Sequence, residues 1–200
     1  MEFWTAVFTL VLVLDPIGNM PVVVAAVKDI APERRRWVVL RESLFALVAL
    51  LLFFFAGPLF LELMGVGTDD VRIAGGVVLL VIALRMVFPK QGEGLVEELD
   101  GEPFLVPIAI PFFAGPSALA TVILMRSGSG LGTSDWLAGS VAVLLAWSVS
   151  CLILLLAPVI TRLLGPRAMR ATERLMGMLL IVISVHLIMT GIAPYLRPAG

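Results

Sequence analysis

Leu14-Asp15-Pro16-Ile17-Gly18-Asn19-Met20-Pro21 lies inside an apolar run, Phe3 to Val27, that carries no charge besides Asp15. Each of the two prolines removes a backbone donor and crowds the preceding turn, and Gly18 between them lowers helix propensity further. In hydrocarbon, freed N–H and C=O groups survive only where protein or a water-filled cavity satisfies them. The stretch therefore predicts a half-helix, a break and a second half-helix, with one carboxylate and one carboxamide at the break.

Further along, Ile110-Pro111-Phe112-Phe113-Ala114-Gly115-Pro116-Ser117 repeats the device. Pro111 and Pro116 stand at an offset of 95 from Pro16 and Pro21. Paired interruptions at corresponding positions of two halves point to a transporter binding site.

Composition fixes the class. Of 200 residues, 60% are hydrophobic and 14% charged, with mean hydropathy +1.07. That is a membrane protein. A net charge of −1 gives no argument for nucleic acid as a partner. Cys151 is the sole cysteine, which excludes an internal disulfide and any multi-Cys metal site. Met1-Glu2 offers no basic side chain before the apolar run, so the first span is expected to stay as an anchor rather than to be cleaved.

Six spans are expected, at about 3–27, 37–63, 71–88, 104–125, 136–164 and 175–196, each near the ~20 residues a bilayer core requires. The third needs Arg85 to snorkel outward. The acidic linker 89–103 divides a first half, about 1–88, from a second, about 104–200, within one membrane domain. Ser127 to Gly132 reads as a flexible loop, because it lacks the spacing of a phosphate cradle. Orientation follows from Lys and Arg. Lys28, Arg34, Arg35, Arg36, Lys90, Arg162, Arg167, Arg170 and Arg174 fall on one side, and Arg72, Arg126 and Arg197 on the other. The first set is expected in the cytoplasm and both termini outside.

The halves also resemble each other in their later spans. Pro58, Leu63 and Gly65 meet Pro158, Leu163 and Gly165 at an offset of 100, and Arg72-Ile73-Ala74-Gly75 meets Arg174-Leu175-Met176-Gly177 at 102. Three spans is an odd number, so the second copy enters from the opposite face. The expected fold is all-α, six transmembrane helices in an inverted 3+3 repeat, with helices 1 and 4 discontinuous.

A broken helix supplies charge complementarity. A half-helix N-terminus offers unpaired N–H groups to a carboxylate, and a half-helix C-terminus offers carbonyls to an ammonium or cation. A small zwitterion fits between two such breaks. The expected substrate site comprises Asp15, Pro16, Gly18, Asn19 and Pro21 from the first break and Pro111, Ala114, Gly115, Pro116 and Ser117 from the second. Asn19 and Ser117 serve as neutral donors and acceptors. Gly18, Ala114 and Gly115 leave room for backbone to approach the ligand. Asp15 reads equally as a cap for the following half-helix and as a proton- or cation-coupling group. His186 is the other coupling candidate, although a packed histidine bonded to a carbonyl or to Ser184 is the plainer reading. Arg41 and Glu42 are expected to snorkel or pair near the cytoplasmic end of the second span. Gly177, Ser184 and Gly191 recur every seven residues as a face for close helix contact.

Both motifs resemble the signatures of the MarC family, which includes the SnatA-type neutral amino-acid transporters, and the resemblance spans essentially the whole chain. It implies a prokaryotic inner-membrane protein, kinship with amino-acid exporters of the LysE type, and proton-coupled transport of glycine, alanine and related neutral amino acids. The expected function is thus secondary transport of such amino acids, with a proton or sodium as coupling ion and no cofactor or metal. A LysE-type exporter, a channel and a structural membrane protein are the alternatives, and a homo-oligomer is left open. An enzyme is not expected: His186 is the sole histidine, so an HExxH metal site cannot form, and Asp15 is the one aspartate within a span, where an aspartyl protease needs two.

Overall fold

The computed structural model describes residues 3–28, 30–88, 114–127 and 136–196. The linker 89–103, Pro111 and the first part of the expected fourth span lie outside them. Among the described residues there are six α-helices: α1 (Phe3–Leu14), α2 (Pro16–Ala26), α3 (Pro32–Met64), α4 (Thr68–Val87), α5 (Pro116–Arg126) and α6 (Trp136–Ile192). Among the described residues, three stretches are long and apolar enough to cross a membrane: Phe3–Ala26 taken across its break, Pro32–Met64 and Trp136–Ile192.

The 57-residue α6 is non-helical at Gly165 alone, with φ 71° and ψ 169°. The loop expected between the fifth and sixth spans is therefore one residue wide, and Arg162, Arg167, Arg170 and Arg174 all lie on helix. The reason is local. Pro166 suits the first position of a new helix because its missing N–H would have no partner there. Gly65, the C-cap of α3, is the other described glycine with positive φ, at 65°. Pro58 and Pro158 both stay inside their helices. The residues matched at an offset of 100 thus occupy like places.

Small residues set the packing. A Cβ on Gly76 would meet the Ser184 carbonyl oxygen and Ile188, one on Gly177 would meet the Ala83 carbonyl oxygen, Met86 and Val87, and one on Gly191 would meet the Asp69 carbonyl oxygen and Ile73. As α4 is followed forward, its partners in α6 run backward, so α4 and the second limb of α6 are antiparallel and nearly in backbone contact. The seven-residue face is what closes this pair. Gly177→Ala places a methyl 3.1 Å from the Ala83 carbonyl and 2.9 Å from Met86 and Val87. It is expected to cost about 1–3 kcal/mol, the usual range for overpacking, measured as a lower unfolding temperature in detergent. The far end of the pair is tied by the Tyr195 hydroxyl, which donates to Asp70 Oδ1 at 2.7 Å. This bond, with the Gly67 N–H, holds the Asp70 carboxyl below its usual range.

Between α3 and the first limb of α6, Trp147 Nε1 donates to the Ser43 carbonyl at 2.6 Å, Ser43 Oγ lies 3.1 Å from Cys151 Sγ, and Gly139 lies under the Phe54 ring. These partners also run in opposite directions. Both α1 and α2 pack on α6, while α5 packs on α3, α4 and α1. Leu10, Leu50, Phe54, Leu79, Leu154 and Leu180 fill the interior, whereas Trp4, Phe8, Leu52 and Leu163 lie on the outside with most of their surface open. Large apolar side chains outward and glycines inward is the arrangement of helices packed in lipid.

Candidate functional site

The first break is narrower than the sequence suggested. Asp15 N–H still bonds back to the Val11 and Leu12 carbonyls at 3.1 Å, and its carbonyl accepts the Asn19 N–H at 3.1 Å. Only Asp15 leaves the right-handed helix, at φ 43° and ψ 58°. Pro16 disfavours the α region for the residue before it. Asp is one of the few residues other than Gly to visit the left-handed region, at a cost of order 1–3 kcal/mol. Gly18 and Pro21 lie inside α2. Pro16 takes the first helical position, where a missing N–H is harmless, and Pro21 brings no N–H to the Ile17 carbonyl.

Two side chains knit the ends together. Asp15 Oδ1 accepts the Gly18 N–H at 3.1 Å, so the capping half of the sequence reading is realised. Asn19 Nδ2 donates to the Leu14 carbonyl at 3.0 Å, serving the last residue of α1. Asp15 and Pro16 are buried, and Ile17, Gly18, Asn19 and Pro21 are half-buried. The place a Gly18 Cβ would take is filled by the Asp15 carboxylate and the Met86 methyl. Gly18 therefore makes room for the cap and for α4.

Met86 links the break to α6, since it also lies over Gly177. One turn before Gly177, Glu173 stands within electrostatic range of Asp15. Nothing in the sequence brings Met86 or Glu173 to Asp15; the closeness comes from the small-residue packing of α4 on α6.

At the second motif, Gly115 is the N-cap of α5 and Pro116 its first residue. Ala114, Gly115 and Ser117 are buried, and Pro116 is exposed. The Ser117 carbonyl accepts from Thr121 Oγ1 at 2.8 Å. α5 thus begins at the second proline of its motif, whereas α2 begins at the first proline of its own, and Pro111 falls outside the described residues. His186 is exposed on the outer face of α6, and its carbonyl accepts from Thr190 Oγ1 at 2.8 Å. Ser184 donates to the Ile181 carbonyl instead, so the expected packed pair with His186 is not formed. Arg41 and Glu42 do pair, but Glu42 is buried rather than snorkelling. Among the described residues no group of three or more His, Cys, Asp or Glu could hold a metal ion.

The chain resembles known proteins over nearly its full length. The family described as MarC family integral membrane protein matches residues 1–196. A UPF0056 membrane protein of Buchnera aphidicola subsp. Schizaphis graminum is 39% identical over 196 residues, 98% of each chain. The UPF0056 inner membrane protein YhgN of Escherichia coli K12 is 38% identical over 197 residues, again 98% of each. A UPF0056 membrane protein of Chlamydia trachomatis is 34% identical over 181 residues, 90% of this chain and 87% of that one. No solved structure matches.

Proposed function

The chain belongs to the MarC family of integral membrane proteins, and from the geometry of its first break we propose that it is a secondary transporter of small neutral amino acids, glycine- and alanine-like, coupled to protons. The observation that carries this reading is the interruption of an apolar helix at one left-handed residue, Asp15, whose carboxylate and the neighbouring Asn19 side chain serve the two helix ends. Strain of this kind clusters at ligand sites. The C-terminal end of α1 suits an ammonium, and the N-terminal ends of α2 and α5 suit a carboxylate. Together they match the charges of an amino-acid backbone.

The architecture we propose is the inverted 3+3 repeat. It is supported by the positive φ that Gly65 and Gly165 share at the ends of their helical limbs, by the antiparallel pairing of α3 and α4 with successive limbs of α6, and by the cross-packing of α1 and α2 on α6 against that of α5 on α3 and α4. A two-fold axis in the membrane plane exchanges these contacts. The inner membrane as location follows the name of the Escherichia coli relative, and the basic residues favour both termini outside. Of the two coupling candidates read from sequence, Asp15 lies at the break and His186 on the outer surface, where lipid or a second copy would meet it. The reading is of a carrier and not an enzyme. Purified protein in liposomes is expected to take up labelled glycine saturably, with competition from unlabelled alanine and serine. Linear, uncompeted flux would favour a channel, and no flux would remove the reading.

A further inference from the structure

A second ionisable group is buried in a long apolar helix. Glu42 is fully buried in α3, about 7–8 Å along the helix from Trp37 by the 1.5 Å rise. Its Oε1 accepts from Arg41 Nε at 3.0 Å and Nη2 at 2.8 Å. The Arg41 side chain, 18% exposed, lies over the Trp37 ring at 5.2 Å. Glu42 Oε2 has no hydrogen-bond partner among the described residues, and neither has the buried Ser150 Oγ of α6. Their neighbours Ser43 and Cys151 meet at 3.1 Å, and Trp147 pins the same turn. Glu42 and Ser150 are thus chain neighbours of a point where α3 is tied to α6.

A carboxylate oxygen without a donor, away from water, costs more than the ~1–3 kcal/mol of a neutral group, and intramembrane acids of this kind mark proton and ion pathways. A hard cation gathers several oxygens, and an ammonium brings three donors; the one unpartnered carboxylate oxygen, Oε2, serves neither. A proton needs one.

We infer that Glu42 carries the coupling proton. The inference rests on the transporter reading above. A lone pair of Oε2 takes a proton from water on one side, turning carboxylate into acid, and the O–H bond breaks to return the proton to water on the other side. Oε1 stays on Arg41 throughout. Among the described residues, α6 meets this stretch through Trp147 and the Cys151 thiol, both at Ser43. α5 meets α3 at Gly57, about 22 Å further along, and its Arg126 lies over Trp136.

Two measurements on full-length protein in liposomes test this. In infrared difference spectra recorded from alkaline to acid pH, the carbonyl band of a protonated carboxylic acid is expected to appear, to vanish in Glu42→Gln and to persist in Asp15→Asn. With a pH difference of one unit, one coupled proton drives accumulation of up to about tenfold; Glu42→Gln is expected to bring that ratio to about one. A band that survives Glu42→Gln, or accumulation equal to that of the unaltered chain, would overturn the assignment. Should Glu42→Gln not insert, Arg41→Gln must move the pH at which the band appears, and an unmoved midpoint is equally decisive against it. If the unaltered chain moves no glycine, the transporter reading falls, while the infrared titration still shows whether Glu42 takes up a proton.

Discussion

Asp15→Leu is expected to abolish glycine uptake and to lower the unfolding temperature in detergent, whereas Asp15→Asn keeps the fold. Leu loses the bond from Gly18 N–H, worth about 0.5–2 kcal/mol as a cap. It must also hold φ 43° without the short polar side chain that eases the left-handed region, at roughly 1–2 kcal/mol more. A total of about 1.5–4 kcal/mol corresponds to a fall of about 3–16 °C for a chain of this size. Asn retains an oxygen for the Gly18 N–H and tolerates the same backbone. Parallel thermal unfolding and uptake measurements separate the two variants. Equal stability of Asp15→Leu and the unaltered chain would mean that the cap does not hold the break.

Asn19→Leu is the second large effect. Asn19 Nδ2 is the donor that serves the Leu14 carbonyl across the break. Its removal leaves a carbonyl unpaired in a water-poor setting, at about 1–3 kcal/mol. Asn19→Asp, nearly the same shape, sets a carboxylate against that carbonyl and is expected to fail as well. Uptake should be lost in both while membrane insertion persists. Unchanged half-saturating concentration and maximal rate in both variants would place the substrate elsewhere.

The break was legible because two prolines and a glycine inside one apolar run leave few alternatives, and the closing face of α6 because Gly177, Ser184 and Gly191 share a helical phase. The extent of the break was not. Proline is harmless at a first helical position and tolerable within a helix whose neighbours cover it, so only Asp15 leaves the helix and Pro21 does not mark an end. The burial of Glu42 was hidden because its neighbour Arg41 and its place five residues past Trp37 suggest a membrane edge; its depth depends on where α6 crosses α3. The outward direction of His186 was available. Two residues from Ser184 is about 200° around a helix, opposite the face that packs on α4. The approach of Met86 and Glu173 to Asp15 is wholly tertiary.

The placement of substrate at the first break is tested most directly by thiol protection. Ile17→Cys, in a Cys151→Ser background, puts a thiol on the half-buried first turn of α2. Alkylation by a water-soluble maleimide is expected to slow saturably as glycine is added, and to be unaffected by a bulky amino acid such as tryptophan. Alkylation at one rate with and without saturating glycine, in protein that still transports it, would contradict a site at this break.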